Sequence, residues 1–220
     1  MKNNIAFFDV DETIIRIKSM IDFQKYYFFN HPELGENEYN KYFAQMTEWM
    51  EKYDRNIINR KFYETFKGRN KAVVESMAVE WYRQLKLKKP NLFIEGIMRA
   101  IRFHKENGDH IVLLSGSSLE ILSPLAKDLD IHHVLATNLE ISSGVFTGRI
   151  VPPQIIGKGK AIVLQSFLDD MGYDYADCYA YGDHISDLYM LELAGTPHVV
   201  SGDTSLEKIA RRRKWKIIEK

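Results

Sequence analysis

The sequence predicts an α/β protein built on a parallel sheet covered on both faces, with an all-helical insertion after the first strand. Three observations carry this. Short, continuously apolar runs recur: "IAFF" (5–8), "HIVLLS" (110–115), "HHVLAT" (132–137), "CYAY" (178–181) and "HVV" (198–200). Strands buried on both faces read as such continuous runs rather than as alternating ones. Between the later runs lie segments with helical apolar spacing, at 94–107, 118–129, 159–171 and 187–194, which is the strand and helix alternation of a doubly covered sheet. The alternation stops between about residue 14 and residue 90. There the chain reads as helices, "SMIDFQKYYFFN", "ENEYNKYFAQMTEWMEKY" and "NKAVVESMAVEWYRQLK", broken at "HPELG" and "KGRN".

The first strand runs straight into "DVDET", which places Asp9, Asp11 and Glu12 side by side. Crowded carboxylates at the end of a buried strand are destabilised by repulsion and desolvation unless something cationic neutralises them. A metal, a phosphate-handling site, or both would do so. The insertion that follows would sit above the carboxyl end of this strand as a lid, and its many aromatic residues, Phe23, Tyr27, Tyr42 and Trp49 among them, are expected to pack its helices together. Further on, "NLEISSGVFTGRIV" alternates around Gly144 and reads as a hairpin leaving the sheet. "RRRKWK" (211–216) reads as the solvated end of the last helix and strand.

Composition excludes several classes. The 220 residues are 45% hydrophobic and 27% charged, as in ordinary globular proteins rather than disordered ones. Thirty basic and thirty acidic side chains cancel, so no global charge draws the chain to nucleic acid. Cys178 is the single cysteine, which excludes an internal disulfide and any multi-cysteine zinc site. No run approaches the length of a membrane span, and the N-terminal apolar run is too short for a signal peptide. A cytoplasmic protein is expected.

Four stretches at strand ends or helix starts supply chemistry. "DVDET" offers Asp9 and Asp11, two positions apart and able to face one ligand. "LLSGSS" offers the Ser115 hydroxyl and backbone N–H groups around Gly116, which suit an anion. "IGKGKA" offers Lys158 and Lys160, and "YGDHISD" offers Asp183 and Asp187. Together they supply carboxylates for a hard, oxygen-seeking cation, with a lysine and a hydroxyl for phosphate oxygens. In a parallel sheet all four fall along one edge, where such sheets bind ligands.

With those four stretches in order, the chain resembles the haloacid dehalogenase superfamily, in its phosphoserine-phosphatase-like branch. "FFDVDETI" is similar to the first family motif, "VLLSGSS" to the second, "GKGKA" to the third and "AYGDHISDLYMLELAG" to the fourth. The resemblance implies a Rossmann-like core formed by 1–13 and 91–220, a helical cap at 14–90, and a Mg²⁺-dependent phosphomonoesterase acting on a small phosphorylated metabolite through an aspartyl-phosphate. By the same resemblance Asp9 would be the nucleophile, Asp11 the general acid and then base, and Lys160 the electrostatic stabiliser. Thr13, Ser115 and Gly116 would bind the transferring group. Mg²⁺ would sit on the Asp9 carboxylate, the Asp11 backbone carbonyl and Asp183, with Asp187 in support. Lys158 stays open as the alternative to Lys160, and His184 reads as a bystander.

Two positions depart from the family pattern. Position 12, often small in relatives, is Glu12, expected to face solvent. Phosphoserine phosphatases carry a glutamate nine residues after the nucleophile, where it grips the substrate's ammonium, and this chain has Lys18 there. A lysine repels an ammonium, so Lys18 is expected to turn substrate preference towards an anionic or polyol group. Two other functions use the same chemistry. A phosphotransferase or mutase would pass the aspartyl-phosphate to an organic acceptor. A non-catalytic phospho-acceptor signalling module also gathers acids, a hydroxyl and a lysine around Mg²⁺, but has no use for Asp11 or the long insertion.

Overall fold

The computed structural model describes residues 3–220, so residues 1 and 2 of the expected core segment lie outside the described residues. Seven strands form one sheet: β1 (Ile5–Phe8), β2 (His110–Ser118), β3 (His133–Ser142), β4 (Val145–Val151), β5 (Cys178–Gly182), β6 (Thr196–Val200) and β7 (Lys216–Ile218). Their order is β4-β3-β2-β1-β5-β6-β7. Every neighbouring pair is parallel except β3 and β4. β1 is central and all four of its residues are buried, which is why it reads as unbroken apolar sequence. It pairs with β2 on one side and β5 on the other, so the strand order reverses at β1. The crevice for a ligand opens at such a switch point.

Four helices lie between β1 and the rest of the sheet: α1 (Ser19–Asn30), α2 (Glu36–Lys52), α3 (Arg55–Glu64) and α4 (Lys71–Lys88). The two ends of this insertion run side by side. Arg16 N–H donates to the Leu92 carbonyl at 2.8 Å and Ile94 N–H to Ile14 at 2.9 Å. α5 (Glu95–Glu106), α6 (Leu119–Asp128), α7 (Lys158–Met171), α8 (Leu188–Leu193) and α9 (Thr204–Arg213) follow in alternation with strands. None of the described helices is long and apolar enough to cross a membrane.

Side chains alternate across the sheet, so β1 feeds two apolar clusters. Ile5 and Phe7 pack with Val112, Leu164 and Leu191 on one face. Ala6 and Phe8 pack on the other with Leu113 and Ile101, and that cluster continues without a break into Phe62, Tyr63 and Phe66 of the insertion. Each such side chain fully buried contributes about 1.5–3 kcal/mol. The expected internal packing of the insertion's aromatics holds for Phe23, Tyr27, Phe28 and Tyr42, which are buried in this cluster; Trp49 packs against it half-buried, and Phe43 is exposed.

The structure adds elements that the sequence did not show. α3 was not legible as a separate helix because its composition is polar, yet the Asp54 carboxylate caps it, accepting from Asn56 and Ile57 N–H. β7 is too short to announce itself. The expected hairpin is present: β4 pairs antiparallel with Asn138–Ser142, past the His133–Thr137 stretch of β3 that pairs with β2, so it projects beyond the parallel ladder while continuing the sheet at its edge.

A buried polar chain holds the sheet together beneath the site. His104 is fully buried; its Nδ1 lies 2.7 Å from Asp109 Oδ2 and its Nε2 2.9 Å from the Tyr181 hydroxyl. Tyr181 stacks on Phe8 at 4.2 Å between ring centroids, and its carbonyl accepts the Asp9 N–H at 2.9 Å. β5 is thereby pinned to β1 where Asp9 leaves the strand. His104→Ala strands both partners without water, and should lower unfolding free energy in urea titration by about 2–4 kcal/mol.

Candidate active site

Each candidate residue reaches the crevice by a different local device. Asp9 follows the last residue of β1 directly. Beyond it the chain turns sharply, with Val10 accepting from Thr13, Ile14 and Ile15 N–H, and Glu12 takes φ 62°. That left-handed conformation suits glycine and costs other residues about 1 kcal/mol. Glu12 does point outward, but through this turn rather than by strand alternation, and it meets Lys18 at 3.6 Å in an exposed pair.

In β2 the ladder slips between Ser115 and Ser118. The bulge re-aims the backbone around Gly116 out of the sheet and into the cavity. The Gly116 carbonyl accepts from three donors: Thr137 Oγ1 at 2.9 Å, the Tyr63 hydroxyl at 3.0 Å and Asn59 Nδ2 at 3.2 Å. Two of these come from α3, so the insertion grips the loop directly. Asn59 also accepts from Gln154 Nε2 at 2.8 Å, which ties α3 to the segment leading to Lys160. A Cβ on Gly116 would lie 2.8 Å from the Ile156 side chain, so any other residue there would have to push Ile156 aside.

The chemical centre is a buried lysine between two carboxylates. Lys160 Nζ donates to Asp9 Oδ1 at 2.5 Å and to Asp187 Oδ1 at 2.7 Å. Burial opposes its charge, but Asp187 and Asp9 outweigh burial and hold its pKa above the usual lysine value. Lys158, by contrast, is exposed and sits over the Tyr189 ring. The second Asp187 oxygen accepts from Asp183 and His184 N–H, both at 3.2 Å. Asp187 thus braces the loop and the lysine. Gly182 permits this, since a Cβ there would meet Asp187 at 2.7 Å. His184 caps the turn through Ser186 N–H at 3.0 Å.

Positive charge is nevertheless short. Carboxylate oxygens of Asp9, Asp183 and Asp187, all buried, lie within 4.8 Å of one another. Burial drives the Asp9 pKa up despite Lys160. Burial and the Asp187 charge push Asp183 to about 6, although Lys220 Nζ stands 3.3 Å from it. Acids that resist ionisation for want of a cation, with oxygen donors only, fit a hard divalent ion. Thr13 is fully buried and donates to Asp183 Oδ1 at 3.3 Å, so its hydroxyl serves the acid cluster rather than lining the cavity.

Asp11 is held differently. Its Oδ1 accepts the Ser19 N–H at the start of α1, at 3.0 Å, and its Oδ2 the Ser117 hydroxyl at 3.2 Å. Burial raises its pKa, and those hydrogen bonds oppose the rise. Above these groups lies a cavity of about 230 Å³ lined by Asp9, Asp11, Lys18, Ser115, Gly116 and Lys160, with apolar side chains from the insertion. The structure therefore brings together every predicted site residue except that Thr13 and Asp183 lie behind the cavity wall. Ser117, Asn59, Tyr63 and Lys220 were not foreseen. The second serine of "SGSS" was a legible signal; the others act across 37 to 95 residues of sequence.

The haloacid dehalogenase-like hydrolase family model matches residues 6–192. A probable phosphatase of Mycobacterium tuberculosis is 31% identical over 97% of this chain and 74% of its own length. A phosphoserine phosphatase of the same organism is 29% identical over 96% of this chain and 69% of its own. Among solved structures, a Bordetella pertussis protein of unknown function superposes with a TM-score of 0.88 at 21% identity, over 99% of both chains. A substrate-bound phosphoserine phosphatase superposes with a TM-score of 0.70 at 18% identity, over 100% of this chain and 94% of that one. At those identities the superpositions establish the fold.

Lys160→Met removes the cation shared by two buried acids. A carboxyl whose folded pKa is raised contributes its stability at low pH and loses it as pH climbs through that value. Denaturant titration should therefore show a loss of about 3–5 kcal/mol at pH 8 that shrinks towards pH 5, as the acids take up protons.

Proposed function

The chain belongs to the haloacid dehalogenase-like hydrolase family and is a phosphatase of that family, and on that premise we propose a Mg²⁺-dependent phosphomonoesterase that works through an aspartyl-phosphate. The observation that carries the reading is the Lys160 ammonium bridging Asp9 and Asp187 at the floor of the cavity. Lys160 holds one Asp9 oxygen, which orients the carboxylate and favours its anion against the burial that opposes it. Asp9 attacks phosphorus, forming an acyl phosphate as the ester oxygen departs; one hard displacement becomes two easier ones. Asp11 gives its proton to the departing oxygen and then takes one from the water that hydrolyses the acyl phosphate. Its raised pKa suits the first task, and the Ser117 and Ser19 donors suit the second by stabilising its anion.

Ser115, the N–H groups around Gly116 and Lys160 receive the phosphoryl oxygens, and Lys160 supplies fixed charge in a site largely shut off from water. Asp9, Asp183 and the Asp11 carbonyl would hold Mg²⁺, with Asp187 bracing them. When bound, the ion would supply the positive charge that the three buried acids lack. Residues 14–90 act as a cap whose paired connections, at Ile14–Arg16 and Leu92–Ile94, form the hinge; α3 assembles the Gly116 loop when the cap is down. Lys18 and Arg55 stand at the cavity mouth, which disfavours a substrate ammonium there. Small phosphorylated compounds in the cytoplasm are the expected substrates. Transfer of the phosphoryl group to an organic acceptor needs a second polar subsite, and no observation favours it.

Asp9→Asn should reduce release of phosphate from 4-nitrophenyl phosphate by roughly a thousandfold or more, and chelation of Mg²⁺ should do the same to the unaltered enzyme. A mutant that folds normally and keeps near-normal turnover would eliminate the covalent route. Asp11→Asn should separate two kinds of substrate. Alkyl phosphates need a protonated leaving group and should slow about a hundredfold more than 4-nitrophenyl phosphate, as read from the ratio of kcat/KM values.

A further inference from the structure

The cavity wall opposite the acids specifies the organic half of the substrate. That wall comes from α1, α2 and α3, and its side chains are chiefly Met20, Met46, Met50, Ile58 and Phe62. Its polar members have little to offer. Asn59 spends its amide nitrogen on Gly116 and its oxygen on Gln154. Lys18 makes an exposed 3.6 Å pair with Glu12 and remains a cation suited to an anionic group. Of the cavity-lining residues described, the insertion contributes no carboxylate. On the core side, His184 Nδ1 accepts the Ser186 N–H at 3.0 Å, and Ser186 Oγ accepts from Arg55 at 3.4 Å.

A bound polyol or amino acid would therefore surrender its water without finding partners for its hydroxyls or ammonium, and each unpaired buried polar group is costly. An alkyl or aryl group meets the opposite situation. The thioethers and aliphatic chains have apolar surface to lose to it, and methionines adapt to its shape. The cavity of about 230 Å³ also has to hold the phosphoryl group over its polar floor, so the space left for the organic part is compact. Arg55, at the mouth, leaves room for one anionic group at the far end and does not alter the wall.

We infer that the substrate is a phosphomonoester whose organic part is a compact alkyl or aryl group rather than an amino acid or a polyol. The inference rests on the phosphomonoesterase reading above and specifies the substrate for that same site. It departs from what the phosphoserine phosphatases among the relatives are named for.

The test is a Mg²⁺-supplemented series of ethyl, propyl and butyl phosphate set against glycerol 3-phosphate and O-phosphoserine, with 4-nitrophenyl phosphate as the reference ester. All but the reference leave as alkoxides, so leaving-group ability does not favour the apolar esters. Each added methylene should raise kcat/KM about fourfold, and butyl phosphate should exceed both polar esters by about tenfold or more. Met50→Gln, at an exposed position where folding is not at stake, and Ile58→Thr should each flatten the chain-length gradient. A flat series in the unaltered enzyme, an undiminished gradient in both variants, or a preference for O-phosphoserine or glycerol 3-phosphate overturns the inference and leaves the phosphatase reading standing. Failure to hydrolyse any ester, the reference included, overturns both.

Discussion

The buried ammonium of Lys160, held between Asp9 and Asp187, is the interaction on which the rest of the site depends. Two carboxylates cannot be brought together in a nearly dry crevice without a cation, and a lysine cannot be buried without carboxylates. The three residues lie on three different elements: the end of β1, the start of α7 and the turn after β5. Their pairing therefore fixes the relative heights of strands that are distant in sequence. Gly182 and the bracing of Asp187 by backbone N–H groups are consequences of that fit.

Charge balance explains what surrounds the triad. One lysine does not neutralise Asp9, Asp183 and Asp187, and burial accordingly lifts the pKa of both Asp9 and Asp183. Thr13 and Lys220 reach Asp183 and ease that imbalance without removing it. Three buried carboxylates with oxygen atoms this close could hold a hard cation, the ligand that would complete the charge balance.

The helical insertion is tied into the chemistry rather than laid over it. It lends Asn59 and Tyr63 to the Gly116 carbonyl and Ser19 N–H to Asp11, and it shares an apolar cluster with the sheet. The same helices that line the cavity thus also set the Gly116 loop, which on the proposed reading would receive the phosphoryl group. Substrate shape and catalytic geometry are coupled through a few hydrogen bonds on α3.

The sequence by itself determined the sheet, the helical insertion and the acids at the strand ends. Continuous apolar runs have one stable use, as buried parallel strands, and residues just past their ends must lie at the crevice. Asp9, Asp11, Ser115, Gly116, Asp183 and Asp187 were legible for that local reason. Tertiary structure decided the rest. Periodicity hid α3, because a polar helix whose buried face is narrow has almost no apolar signature, and its Asp54 cap is a one-residue cue. Lys160 was preferred to Lys158 only by its place in the family motif; helix phase gives the physical separation, turning one into the acids and leaving the other over Tyr189. Asn59, Tyr63 and Lys220 have no local pattern, since their partners lie tens of residues away. Which side chains meet across such distances depends on the packing of whole elements against each other.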